Sequence, residues 1–227
     1  MNHDTHPSRT ALLAGASGLI GRALLTRLQA NPAYTHTHVL VRRPVPGLTG
    51  DTRTTFHTVD FARLLASMPP GLPGLTDAYI ALGTTIAVAG SVAAFRAVDF
   101  DVVVNTARAA RAAGATRLAV VSSLGADANS RVFYNRVKGE MQATVATLGY
   151  RSVVIAQPSL LLGDRSALGQ PVRTAERWAT RLFAPVMGLV PRSVRPIEAG
   201  AVADALLAAM LEPAPGVRVL ASKDMQP

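Results

Sequence analysis

The stretch Ala11–Gly21, with the sequence ALLAGASGLIG, decides the fold. Its apolar beginning is long enough for a buried strand, and it ends in Gly15, Gly18 and Gly21 at three-residue intervals. Gly15 permits a tight bend out of the strand, Gly18 lets a pyrophosphate approach the backbone, and Gly21 allows close packing of the next helix. The N-terminus of that helix then faces the anion. This order of strand, glycine turn and helix indicates a dinucleotide-binding site rather than an ordinary turn.

Apolar strands and helical stretches alternate along most of the chain. Continuous apolar strands with helical crossovers are typical of a parallel sheet that is covered on both faces. We therefore predict an α/β fold with a doubly wound, mostly parallel sheet, which is a Rossmann fold, and with ligands bound at the carboxyl ends of the strands. The predicted strands are Thr10–Ala14, His38–Arg42, Thr54–Val59, Ala78–Leu82, Arg117–Ser122, Ser152–Gln157 and Val217–Ala221, and the predicted helices lie near Leu19–Ala30, Phe61–Met68, Val92–Ala113, Arg131–Leu148 and Ala199–Leu211.

The domain prediction is a flexible N-terminus over residues 1–9 and a single NAD(P)-binding domain over residues 10–227. Residues 69–74 (PPGLPG) are predicted to form a loop, and residues 163–197 a small cap. Within the cap, Arg173, Arg177 and Arg181 recur every four residues and so share one face of a helix. That face is predicted to be exposed to solvent, the alternative being contact with an anionic substrate or a membrane surface.

The composition narrows the class of protein. The chain has 227 residues, of which 49% are hydrophobic and 16% charged, and it has no cysteine. Disulfides, thiolate metal sites and cysteine catalysis are therefore excluded, and no metal site is predicted. No apolar run reaches the roughly 18 residues of a membrane span, and the first residues lack the hydrophobic region of a signal peptide. We predict a cytoplasmic enzyme.

The net charge of +9 raises the question of nucleic-acid binding. The basic residues are scattered along the chain, and aromatic residues make up only 5% of it. Nucleic-acid binders usually concentrate their charge on one face and interleave it with aromatic side chains. We therefore expect no nucleic-acid partner, and we interpret the charge as attraction for an anionic cofactor or substrate.

The second predicted strand is followed by a pair of arginines. Enzymes that select NAD usually place Asp or Glu there, to hold the ribose hydroxyls. Here the residues are Arg42 and Arg43, and two guanidinium groups can hold a 2′-phosphate by bidentate hydrogen bonds. The alternative is a pair of surface arginines in an arginine-rich protein. Their position favours NADP(H) as the cofactor.

Polar and small residues follow the next three predicted strands. Asp60 follows the third strand and can either accept a hydrogen bond from the adenine amino group or cap the next helix, and both interpretations stay open. The fourth strand leads into Leu82–Thr85, where Gly83 beside hydroxyl residues suits close passage of a cofactor. The fifth strand leads into Ser122 and Ser123.

Tyr134 and Lys138 carry the predicted chemistry. They lie four residues apart and so project from the same face of a helix. A tyrosine hydroxyl ordinarily titrates near pH 10, but a nearby ammonium favours the phenolate and lets it exchange a proton with a hydroxyl or carbonyl substrate. A serine from the preceding strand end can polarise the substrate oxygen. A tyrosine and lysine at this spacing are common on protein surfaces, and their position after the two serines makes this pair specific.

With these residues in place, the chain resembles the short-chain dehydrogenases/reductases, nearest to their atypical or extended branches. The nearest group is the Tat-interacting-protein-like one, with its NAD(P)-binding and epimerase/dehydratase-like bacterial relatives. The resemblance runs from about residue 11 to about residue 211, through the motifs GASGLIG, ALGTT, VSSLGAD, YNRVKGE, QPSLLLGDR and RPIEA.

The resemblance implies a role for each matching residue. Tyr134 would be the acid/base, and Lys138 would bind the ribose and favour the phenolate. Ser122 or Ser123 would orient the substrate, and Ser123 is preferred because it stands one step further into the crevice. The segment after the sixth strand would lie beside the nicotinamide. The implied cofactor-binding residues are Gly15, Ser17, Gly18, Leu19, Ile20, Gly21, Arg42, Arg43, Asp60, Phe61, Leu82, Gly83, Thr84, Thr85, Ser122, Tyr134, Lys138, Pro158, Ser159 and Leu161.

Two positions depart from the family pattern. Gln157 stands where the family commonly has Arg, and Asp99 stands where the family often has Asn. The expected function is an NADP(H)-dependent oxidoreductase that transfers a hydride to or from a small carbonyl or alcohol substrate. The alternative is a non-catalytic NADPH-binding regulator or sensor. The sequence does not determine the oligomeric state; a homodimer is one alternative, because exposed helical faces in this fold often pair.

Overall fold

The computed structural model describes residues 8–64, 72, 74–162 and 191–226. Seven of its strands form one sheet, in the spatial order β3-β2-β1-β4-β5-β6-β9, and β7 and β8 form a separate two-stranded pair. The strands are β1 (Arg9–Ala14), β2 (Tyr34–Val41), β3 (Thr54–Thr58), β4 (Leu75–Ile80), β5 (Arg117–Val121), β6 (Ser152–Gln157), β7 (Leu161–Leu162), β8 (Ile197–Glu198) and β9 (Gly216–Ala221).

Every strand pair in the large sheet is parallel. Ala14 at the end of β1 pairs with Leu40 of β2 on one side and with Ile80 of β4 on the other. From this central strand the chain builds outward first through β2 and β3, and then in the opposite direction from β4. The carboxyl end of β1 is therefore the point where the strand order reverses, which is where such sheets bind ligands. The predicted doubly wound α/β fold is confirmed.

Helices cover both faces of the sheet, and two cores lie beneath them. One core joins the sheet to the first and last helices, where Leu24 and Leu206 are among the buried residues. The other core lies on the opposite face and includes Val104 and Met141. The α-helices are α1 (Leu19–Ala30), α2 (Ile86–Ala89), α3 (Val92–Arg96), α4 (Val103–Ala112), α5 (Phe133–Ala146) and α6 (Ala199–Leu211).

The helix predicted over Val92–Ala113 contains an irregularity. It consists of α3, a π-helical segment over Ala97–Val102, and α4. The short helix α2 was not predicted, because four residues are too few to show a helical period. The helix predicted near Phe61–Met68 begins as a 3-10 turn over Phe61–Arg63, and residues 65–68 lie outside the described residues.

Several predicted segments lie outside the described residues. They are residues 1–7, most of the predicted loop over residues 69–74, and residues 163–190 of the predicted cap. Arg173, Arg177 and Arg181 belong to the last of these segments. Of the predicted cap, the structure describes a turn over residues 191–196 and the strand β8, which pairs with β7.

Candidate functional site

The glycine turn after β1 has no room for side chains. Gly15 has a positive φ of 96°, and a Cβ atom on it would lie 2.5 Å from the carbonyl oxygen of Ala81. A Cβ atom on Gly21 would lie 2.0 Å from the carbonyl oxygen of Gly15. The backbones of the turn, of α1 and of the segment after β4 are therefore in direct contact, and this narrow cradle fits a pyrophosphate bound by main-chain amides.

The start of α1 is open to an anion. Its N-cap residue is Gly18, which provides no capping side chain, and the first turn has no acidic residue. Ser17 is exposed and Leu19 is half-buried. The side chain of Ile20 is only 5% exposed and belongs to the core, so Ile20 can contribute to a cofactor site only through its main chain.

The residues after β2 and β3 differ in how accessible they are. Arg42 and Arg43 follow the end of β2 directly, and both are exposed. Asp60 caps the 3-10 turn, since its Oδ1 accepts a hydrogen bond of 3.0 Å from the Ala62 amide. Phe61 is buried in the core, which leaves only its main chain for the predicted contact with a cofactor.

A buried ion pair lies beneath the segment after β4. Lys138 Nζ is 2.7 Å from Asp99 Oδ1, and the two side chains are 4% and 0% exposed. Asp99 lies in the π-helical segment, and its Oδ2 accepts a hydrogen bond of 2.8 Å from the Thr84 amide. A Cβ atom on Gly83 would lie 3.2 Å from Asp99 Oδ1 and 3.6 Å from Lys138 Nζ, so Gly83 covers the pair closely.

The predicted acid/base residue lies on the helix that carries Lys138. Tyr134 is half-buried near the start of α5, and its ring lies 5.2 Å from the ring of the fully buried Phe95. The connection from β5 lies directly on α5, because a Cβ atom on Gly139 would be 2.1 Å from the Ala128 amide nitrogen. Packing on two sides therefore fixes the start of α5 at the carboxyl edge of the sheet.

The two serines after β5 have different surroundings. Ser122 is 5% exposed, and its Oγ accepts a hydrogen bond of 2.6 Å from Gln142 Nε2. Gln142 Oε1 in turn accepts a bond of 3.0 Å from Gln157 Nε2. The Oγ atom of Ser123 is buried and has no hydrogen-bond partner among the described residues. Ser123 is thus the serine whose hydroxyl is not engaged by a described residue.

Two polar contacts of the site were not anticipated from the sequence. The sequence analysis noted Asp99 only as a departure from the family pattern, although it neutralises Lys138. Gln142 was not singled out, although it lies one helical turn beyond Lys138 on the face of α5 that meets β5 and β6. Its partner Gln157 is the other residue that departs from the family pattern, and its amide nitrogen donates to Gln142 Oε1.

Hydrogen bonds to other parts of the protein fix the segment after β6, which begins at Pro158. The Pro158 carbonyl accepts a hydrogen bond of 2.9 Å from the Leu124 amide. The Ser159 hydroxyl donates to the Arg195 carbonyl and accepts a bond of 2.9 Å from Ser222 Oγ. Leu161 pairs with β8. The predicted cofactor contact of Ser159 therefore falls on a side chain that already has protein partners, and only its main chain is left for that role.

The described geometry defines a class of protein. A doubly wound parallel sheet with a glycine turn at its switch point makes this a Rossmann-fold protein. The ADP-L-glycero-D-manno-heptose-6-epimerase of Helicobacter pylori superposes with a TM-score of 0.67 and 16% identity, covering 97% of this chain and 79% of that one. The UDP-glucuronic acid 4-epimerase of Bacillus cereus, solved in complex with NAD, superposes with a TM-score of 0.65 and 14% identity, covering 93% and 77%.

The chain belongs to the FMP52 family. It is 36% identical over 189 residues to the protein fmp52, mitochondrial, of Emericella nidulans, and the match covers 81% of this chain and 78% of that protein. The protein of the same name from Aspergillus fumigatus is 35% identical over 181 residues, with 78% and 75% covered. No family model matches the chain.

The family membership corrects the predicted location. The relatives are named as mitochondrial proteins, and so the predicted cytoplasmic location is wrong. Composition could not reveal this, because it is silent about the compartment. Within the described ranges, no helix combines the length and the apolar character that crossing a membrane requires.

Proposed function

We propose that this protein is an NADP(H)-dependent oxidoreductase of the short-chain dehydrogenase/reductase type, acting on a small carbonyl or alcohol substrate. One observation carries the proposal. The Ser123 hydroxyl, which has no partner among the described residues, follows the end of β5. Tyr134 and the lysine of the Asp99–Lys138 pair lie on α5, the next helix of the chain. A binding site alone does not require a buried hydroxyl without a partner, followed in the chain by a tyrosine and a buried ammonium group.

The cofactor assignment rests on the glycine turn and on the residues after β2. The turn would hold the pyrophosphate against the first amides of α1. Arg42 and Arg43 would hold the 2′-phosphate, since both are exposed and follow the strand end where a carboxylate would select NAD. A bound nicotinamide dinucleotide supplies hydride transfer. The residues of the chain therefore need to supply orientation and proton transfer.

Proton transfer would fall to Tyr134. In the direction of reduction, Tyr134 gives its hydroxyl proton to the substrate oxygen as the carbonyl becomes an alcohol, and in the direction of oxidation it takes that proton back. Ser123 donates a hydrogen bond to the same oxygen and stabilises the charge that develops there. Lys138 stabilises the phenolate, and Asp99 holds the lysine side chain in one position.

A sensor function is the second candidate, and the same ion pair favours it. Because Asp99 neutralises Lys138, the lysine adds less positive charge near Tyr134 than an unpaired ammonium would. Such a site could bind NADPH without turning over a substrate. Binding of NADPH, without a reaction, would then be the function of the protein.

The test compares turnover with cofactor binding. A panel of aliphatic and aromatic aldehydes and ketones is offered with NADPH, and oxidation of NADPH is followed by its absorbance. We expect Tyr134→Phe to lower turnover by about 100-fold or more, the usual contribution of a general acid, with an NADPH Kd within about twofold of the wild type. Tyr150→Phe is the control, since Tyr150 only donates to the Ala107 carbonyl.

The results separate the two candidates. Turnover that survives Tyr134→Phe unchanged refutes the acid/base role. Tight NADPH binding with no turnover of any panel member favours the sensor.

A further inference from the structure

Arg22 lies near the N-terminus of α1, and a nitrogen of its guanidinium group is buried without a hydrogen-bond partner among the described residues. It is in the first turns of the helix, directly after Gly21, and its amide donates a hydrogen bond of 2.9 Å to the Gly18 carbonyl. The side chain is half-buried. Its Nε atom is enclosed by protein, yet it has no hydrogen-bond partner among the described residues. A buried guanidinium nitrogen normally has an acceptor, so the missing acceptor needs an explanation.

The direction of the Arg22 side chain follows from another residue on the same helix. Gln29 lies two turns further along α1 and shares a face with Arg22. Gln29 Nε2 donates to the Thr49 carbonyl at 3.3 Å and to Thr54 Oγ1 at 3.2 Å, both in or next to the connection between β2 and β3. That face of α1 is therefore the one turned toward the connection.

The connection brings two further arginines to the same end of α1. It begins with Arg42 and Arg43 at the carboxyl end of β2 and runs to the start of β3, beside α1, where Val45 and Leu48 pack against the core. The helix runs in the same direction, from the carboxyl edge of the sheet to its amino edge. The Arg22 position lies about 10 Å nearer the carboxyl edge than that of Gln29, and therefore beside the start of the connection.

The positive charges at this place have no acidic counterpart in the first turn of α1. A cation in the first turns of a helix opposes the positive end of the helix dipole. Here the first turn of α1 has no acidic residue that would offset the cation, and Arg42 and Arg43 add positive charge of the same sign nearby. An anion bound between α1 and the connection would relieve this repulsion and would supply the acceptor that the enclosed Nε atom lacks.

We propose that Arg22 binds the 2′-phosphate of the cofactor together with Arg42 and Arg43, and that it determines the preference for NADP(H) over NAD(H). The proposal rests on the proposed function, because it names a further residue of the same cofactor site. The 2′-phosphate is the anion that distinguishes the two nucleotides. The pyrophosphate is common to both and belongs to the glycine turn, so the effect of Arg22 falls on one nucleotide only.

The test measures the Kd of NADPH and of NADH by calorimetry for the wild type, Arg22→Gln and Arg22→Lys. Loss of a charge-assisted hydrogen bond should raise the Kd of NADPH by about tenfold or more in Arg22→Gln, with the Kd of NADH within about twofold of the wild type. Arg22→Lys should lie between, because it keeps the charge and loses the planar fork. Arg108→Gln is the matched control, with the same loss of charge at an exposed position on α4.

Thermal unfolding without nucleotide separates binding from a structural role. Since Arg22 opposes the helix dipole, we expect the Tm of Arg22→Gln to equal or exceed that of the wild type. A Tm that falls by several degrees overturns the proposal, because Arg22 is then a structural residue. An equal rise in both Kd values also overturns it, as does a wild-type preference for NADPH that persists unchanged in Arg22→Gln. A wild type that binds both nucleotides equally refutes the proposed NADP(H) preference itself, whatever the variant does.

Discussion

The buried Asp99–Lys138 pair allows a prediction whose size follows from the structure. At the 2.7 Å separation of Lys138 Nζ and Asp99 Oδ1, the gross attraction at an effective dielectric constant of 20 is about 6 kcal/mol. Much of that attraction offsets the cost of removing both charges from water. Removing one partner leaves the other charge buried and unpaired, which costs about 3–5 kcal/mol.

Asp99→Asn changes the charge and almost nothing else. The amide oxygen can still accept one hydrogen bond, so we expect the lower end of that range, about 3 kcal/mol of unfolding free energy. For a chain of this size, that loss corresponds to a fall in Tm of about 6–12 °C. Lys138→Met should cost a similar amount, because it leaves the Asp99 carboxylate without its counter-ion. The assay is urea unfolding followed by circular dichroism, with Tm measured in parallel.

The double variant Asp99→Asn with Lys138→Met is the decisive comparison. It has no buried charge at this place, so it should be more stable than either single variant, and the three values give the coupling energy of the pair. It should also stay folded while it loses NADPH-dependent turnover, which separates the catalytic role of the lysine from its structural one. If Asp99→Asn lowers Tm by less than about 2 °C, or if the two single effects simply add, the pair is not the isolated buried charge pair assumed here.

Two further predictions concern the glycine turn and a histidine of β2, the strand next to the sheet edge. Gly21→Ala should abolish binding of NADPH and NADH alike, measured by calorimetry, because its Cβ atom would lie 2.0 Å from the Gly15 carbonyl oxygen. Gly200→Ala, also in the first turn of a helix, should bind as the wild type does, because its Cβ atom would meet only the end of the flexible Arg27 side chain, at 3.2 Å. Burial and the neighbouring histidines lower the pKa of His38 to about 4. The neutral ring is therefore favoured in the folded state, and the stability it contributes is present above about pH 6.5 and is lost as the pH falls toward 4. Tm should fall over that range, and His38→Gln should reduce the fall; an unchanged profile in the variant contradicts the assignment.

The sequence was most informative where one residue type is required by local geometry. Gly15 and Gly21 could be predicted because their close backbone contacts tolerate no side chain. That requirement places glycines at fixed spacing in the sequence. The parallel sheet could be predicted in the same way from continuous apolar strands joined by helices. The order of the strands follows once the connections are right-handed and the glycine turn lies at the switch point.

What could not be predicted depends on contacts between distant parts of the chain. Asp99 meets Lys138 only because the π-helical segment and α5 pack side by side, and neither residue indicates its partner in the sequence. The same is true of Gln142 and Gln157, which join a helix to a strand. Spacing also cannot show whether a residue would contact a cofactor through its side chain or through its main chain. Phe61 was therefore included in the predicted site although its ring is buried in the core.

The two ends of the candidate site differ in charge, and this difference affects which ligand can bind there and in which direction. At the end that holds Tyr134, the one buried ammonium is paired with Asp99, and the polar contacts around Ser122 are neutral amides. At the other end, Arg42 and Arg43 are exposed beside a helix N-terminus that has no acidic residue in its first turn. An oxidised nicotinamide is cationic and the reduced form is neutral, whereas the pyrophosphate and a 2′-phosphate put the negative charge of the nucleotide at its adenosine end. The proposed cofactor NADP(H) would therefore lie in this one direction, with its reactive ring toward Tyr134.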